Sequence, residues 1–210
     1  TLNRYTENIK YQNEIIMMKR FLTAKHWQLF SLTFALPMVF QLILVGTIAS
    51  SVFGGHEPSP ETMFNYLKIF PLISMLFTVI FFGWFWSIGT RLDEKIPEHL
   101  KLKVGWFKLF LFIPLTYITI ISVFIMVMMN GVVNIGGEPN FDIFGIIVPF
   151  HLFAMFCIFY CLFFVAKTIK TAELQKEVKF SDFAGEFFLI WLFPIGVWFV
   201  QPKVNKIMEE

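Results

Sequence analysis

Five side chains able to do chemistry sit in runs that are otherwise apolar: Gln41 in "MVFQLILV", His151 in "VPFHLFAM", Cys157 and Cys161 one turn apart, and Glu186 in "GEFFLI". A histidine changes charge near neutral pH, so it can relay a proton or hold a metal. Keeping such groups at bilayer depth is costly, which makes each either functional or a glue between helices. His151 lies roughly 12 Å along a helix that begins near Ile143, close to the middle of a hydrocarbon layer. Gln41 falls at a comparable depth, and a Gln41 to His151 hydrogen bond would satisfy both.

Metal and haem chemistry lack a constellation. At 100° per residue Cys157 and Cys161 lie about 120° and 80° around the helix from His151, so the three do not converge. His26, His56 and His99 fall in linkers and loops. No cofactor is expected. Phosphate-loop, dinucleotide, zinc-protease and nucleophile-elbow patterns are missing, and no basic face has the size that nucleic acid requires. Thr116, Thr119 and Ser122 form one mild polar stripe, and Ser74 with Thr78 another. Their hydroxyls are expected to bond back to carbonyls or across helices. Glu186 is expected to pair with Lys179 or Lys108, or to cap a helix start, where negative charge is favoured.

The elements that must position these groups follow from composition. With 57% hydrophobic and 15% charged residues, the 210-residue chain exposes more apolar surface than one soluble core can hide. Segments 27–53, 64–90, 106–130 and 141–166 are long and apolar enough to cross about 30 Å of hydrocarbon. Lysine and arginine crowd into 1–26, 90–105 and 167–182, whereas the loops 54–63 and 130–140 carry none and are acidic through Glu57, Glu61 and Glu138, with Asp142 just beyond the second. The positive-inside bias places the basic segments, and both termini, in the cytoplasm. Residues 1–17 are expected to be a disordered upstream extension, because "MKRFLTAKHWQLF" from Met18 looks like a natural start.

The last apolar run differs from the other four. Between Glu186 and Gln201 lie 14 residues, which as a helix reach about 21 Å, short of the hydrocarbon thickness. "FPIG" interrupts it, with Pro194 lacking a donor and Gly196 free to take a positive φ. Lys176 and Lys179 precede it and Lys203 and Lys206 follow it, so the charge bias asks for both ends on one side. Segment 183–210 is therefore expected to be a re-entrant or interfacial hairpin, anchored by Trp191 and Trp198 at headgroup level. The alternative is a fifth crossing helix.

The stretches "VAKTIKTAELQKEVKFSDFAGEFFLIWLFPIGVWFVQPKVNKI" and "IGTRLDEKIPEHLKLKVGWFKLFLFIPL" resemble small multi-pass membrane proteins of Bacteroidota-type bacteria, from about residue 60 onward. The resemblance implies a bacterial inner membrane and brings no activity and no site residues. The sequence thus predicts an all-α integral membrane bundle of four transmembrane helices and a carboxy-terminal helical hairpin. The expected role is a non-catalytic scaffold or accessory subunit, with the bilayer, other membrane proteins or further copies of the chain as partners. A small transporter or channel with a polar path near Gln41 and His151 is the rival reading, and an enzyme acting on lipid or isoprenoid substrates a third.

Overall fold

A computed structural model of the chain describes residues 2–55, 60–135 and 144–209, and every regular element among them is helical. The helices are α1 (Leu2–Thr23), α2 (His26–Phe30), α3 (Leu36–Phe53), α4 (Pro60–Ser87), α5 (Val104–Ile135), α6 (Phe144–Leu174), α7 (Phe180–Trp191) and α8 (Phe193–Glu209). Four stretches are long and apolar enough to cross a membrane: His26–Phe53, Pro71–Lys95, Val104–Val127 and Gly145–Leu174. The chain is an all-α membrane protein with a helical hairpin at its carboxy-terminal end. The acidic loop residues Glu57, Glu138 and Asp142 lie outside the described residues.

Residues 2–17, expected to be disordered, belong instead to α1. Met18 and Leu22 are buried and pin the end of that helix, and a helix once nucleated extends at little cost through residues that tolerate it. The first span is interrupted: after α2 comes a π-helical turn at Ser31–Ala35, and α3 follows with Pro37 in its first turn, where a missing N–H costs nothing. No residue of α3 is buried. The 18 residues of α3 carry no charge, and a helix apolar all round is stable where hydrocarbon surrounds it.

Packing is concentrated at the basic end of the bundle. Trp84 and Phe85 at the end of α4, with Ile88 and Leu92 in the π-helical turn Ile88–Leu92 that follows it, meet Phe107 at the start of α5 and Val165, Ala166 and Ile169 toward the end of α6, all essentially inaccessible. Phe107 stacks on Phe164 with ring centroids 4.5 Å apart and lies flat over Gly89, where any Cβ would overlap its ring. α5 lies between α4 and α6, α7 packs on α6, and α8 packs on α7, α1 and α2.

The final apolar run is two helices, not one crossing helix. α7 ends at Trp191, the chain turns at Leu192 (φ −87°, ψ 51°), and α8 starts at Phe193. Pro194 then falls in the first turn of α8, where its missing N–H goes unused. Gly196 is not the turn residue that the sequence suggests: it lies inside α8 and allows close approach. A Cβ there would coincide with the carbonyl group of Leu189, so α8 folds back against α7 with backbone touching backbone.

Candidate functional site

Two groups of polar side chains are built into this frame. The first locks the hairpin. Glu186 of α7, 5% exposed, receives hydrogen bonds from Lys203 of α8 at 2.7 Å and Lys170 of α6 at 3.4 Å. Lys170 also binds Glu173 at 2.8 Å, and Lys203 approaches Glu173 at 3.8 Å. Two cations and two anions therefore close a neutral cluster across three helices. Burial raises the Glu186 carboxyl, but the hydrogen bond from Lys203, its own backbone N–H and the charges of Lys203 and Lys170 outweigh that and hold it below its ordinary range.

The partners expected for Glu186 are therefore replaced. Lys179 lies at the start of the same helix, where Asp182 accepts its backbone N–H at 2.8 Å and takes the capping role. Lys108 extends over the ring of Trp86, 5.0 Å from its centroid. Residues distant in sequence supply the true partners, because the fold-back at Leu192 returns α8 alongside both α6 and α7.

Gln201 is not among the candidate functional residues read from the sequence, yet it is fully buried. Its carbonyl oxygen accepts the Trp84 indole N–H at 2.7 Å. Its amide nitrogen lies 3.0 Å from the carbonyl oxygens of both Phe21 and Ala24 and 2.8 Å from Asn205 Oδ1. Asn205 adds a bond to Ala24 at 3.3 Å. One amide thus satisfies carbonyls left open at the end of α1 and ties α1, α4 and α8 together. The spacing of Gln201 and Asn205, one turn apart and in line with the apolar Val197, Val200 and Val204 of α8, is the signal that could have revealed it.

The second group lies deeper. Pro71, Ser74 and Thr78 of α4, Tyr117 and Ser122 of α5, and His151 of α6 line a cleft of about 280 Å³. His151 is the predicted member, but its partner is Tyr117, whose hydroxyl lies 3.3 Å from Nδ1. Gln41 is exposed on α3 and makes no hydrogen bond among the described residues. The expected Gln41 to His151 bond fails because α5, and not the first span, is the neighbour of α6. The hydroxyls of the polar stripes bond back to carbonyls of their own helices, as expected, at Thr119 and Thr78. Thr116 points away and Thr119 bonds back to the Leu115 carbonyl at 2.8 Å, leaving Tyr117 and Ser122 on the cleft. Thr78 likewise donates to the Ser74 carbonyl at 2.7 Å.

Trp191 and Trp198 are both exposed on the hairpin. Trp191 leans on Phe159 of α6, with centroids 5.9 Å apart, and Trp198 lies against His26 at 4.6 Å and Phe30 at 5.5 Å. Each touches the protein on one side and remains about half exposed. Compared with family models, with curated proteins and with solved structures, the chain matches none.

Proposed function

We propose that the chain is a non-catalytic polytopic protein of a bacterial inner membrane, with both termini in the cytoplasm, and that it serves as a scaffold or accessory subunit of a membrane complex. The observation that carries this reading is the contrast between its two halves. The basic end is a packed core closed by the Gln201 hub and the Glu186 cluster, whereas α3 buries none of its residues. An uncharged helix of 18 residues with none fully buried and with Leu42, Ile43 and Val45 exposed offers a face for another transmembrane segment.

The orientation rests on the lysine-rich linkers. The hairpin is proposed to be re-entrant. Its tip residue Phe193 meets Phe81 at 5.1 Å, and Phe81 lies ten residues before Arg91 of the π-helical turn that follows α4, about 15 Å of helix rise, or half of a hydrocarbon layer. Phe188, Leu192, Ile195 and Phe199 are exposed around that tip and would face lipid, with Trp191 and Trp198 as anchors.

Against the enzymatic reading weighs the closure of the Glu186 cluster, whose charges are mutually paired and so poorly suited to proton transfer with a substrate. The transport reading is favoured by the cleft beside His151, but Gln41 contributes nothing to it. Photocrosslinking from α3 tests the proposal. A benzophenone side chain at Leu42 or Val45 should yield one adduct of discrete protein mass in native membranes, and one at Ile120 of α5 should not. Lipid adducts alone at every α3 position would remove the subunit reading.

A further inference from the structure

We propose that the cleft between α4, α5 and α6 binds an uncharged molecule of the lipid phase through an oxygen-bearing head, a hydroxyl or a carbonyl, while its apolar remainder stays in the bilayer. This goes beyond the subunit reading and does not depend on it.

The first argument is charge. Among the described residues lining the cleft there is no acid, lysine or arginine, and His151 is the one titratable side chain besides the phenol of Tyr117. An ion would find no counter-charge, whereas a neutral oxygen would find hydroxyls and an imidazole.

The second argument is hydrogen-bond capacity. Tyr117 and His151 share one proton across 3.3 Å. If the phenol donates to Nδ1, the ring presents Nε2–H as a donor and the phenol oxygen remains an acceptor. If Nδ1–H donates instead, the phenol presents its O–H and Nε2 becomes the acceptor. Either tautomer leaves one donor and one acceptor unmet. In hydrocarbon an unmatched polar group costs on the order of several kcal/mol. A hydroxyl answers both groups, and a carbonyl answers the donor.

The third argument is access and size. His151 is exposed six residues into the span Gly145–Leu174, about 9 Å of helix rise from its start, so the cleft borders the flank of the bundle that hydrocarbon covers. A volume of 280 Å³ is at the lower edge of ligand pockets, roughly 300 Å³ and upward. It holds a head and the first few carbons, and a longer chain must continue into the lipid.

The full chain in lipid nanodiscs is labelled with three diazirine probes of equal length: a long-chain alcohol, the matching methyl ketone, and a hydrocarbon without oxygen. Adducts are mapped by mass spectrometry. The expected result is that the alcohol, the ketone or both label residues 117–125 of α5 well above the hydrocarbon, the alcohol dominating if the head is a hydroxyl and the ketone if it is a carbonyl. That labelling should fall roughly fivefold in Tyr117→Phe with His151→Leu, the factor for losing a hydrogen bond of about 1 kcal/mol. Ile121→Trp fills the cleft, leaves both polar groups in place and should abolish the labelling. Should the double variant fail to fold, the tryptophan variant decides. Equal labelling by the hydrocarbon, or oxygen-probe labelling unchanged in a folded variant, overturns the proposal.

Discussion

At the scale of single residues, stability rests on two polar groups that hydrocarbon cannot solvate. Glu186→Gln leaves Lys170 and Lys203 facing a neutral amide. Removing one partner of a buried ion pair costs about 3–5 kcal/mol. Lys203 is 40% exposed, which screens part of the loss, so a penalty of about 2 kcal/mol is expected. A lower thermal midpoint in detergent would record it, with a smaller drop in Lys203→Met, where Lys170 still covers the carboxylate. The same carboxyl gives a pH dependence of known sign. Its folded value lies below the ordinary 4.5, so its contribution is complete above about 4.5 and is lost as pH falls through the folded value. Thermal midpoints measured from neutral pH downward should fall below pH 4.5 in the native chain, and this part of the fall should vanish in Glu186→Gln. Gln201→Leu strands the Trp84 indole N–H and the carbonyls at the end of α1. Its expected cost is about 3 kcal/mol, read as faster proteolysis between α1 and α2.

At the scale of elements, the hairpin depends on the contact between Gly196 and Leu189. Gly196→Ala forces backbone against a methyl group, and the two helices must separate, at an expected cost of roughly 3 kcal/mol. A spin-label pair on Phe188 and Phe199 should report a longer distance in that variant. How far each element was legible depended on which signal placed it. The four spans were legible because length, absence of charge and lysine asymmetry are local properties of the chain. The hairpin was legible from the 14-residue deficit and Pro194, but the role of Gly196 was not, since close approach depends on a partner helix and leaves no mark at the glycine itself. The helix over residues 2–17 was missed because polarity argues against burial, not against helix. The partners of Glu186 and His151 were missed for a common reason. Depth along a helix can be counted, but which helices are neighbours is decided by packing across the whole bundle. Lys203 and Tyr117 therefore became visible only once α8 was folded back and α5 placed between α4 and α6.

At the scale of the whole molecule, one end of the bundle is closed and the other open. Buried aromatics, the Gln201 hub and the charge cluster gather where the lysines are, and α3 extends from that base with no residue buried. On the proposed reading the packed end is the cytoplasmic base of a platform in the membrane, and that reading requires a hairpin that does not cross. The most direct test is the location of the two flanks of α7 and α8. Reporters active only in the cytoplasm or only in the periplasm are fused after Lys176, ahead of the hairpin, and after Glu210, behind it. The account predicts cytoplasmic activity at both junctions and periplasmic activity at neither. A cytoplasmic signal after Lys176 with a periplasmic signal after Glu210 would mean that the final segment crosses, and would contradict it.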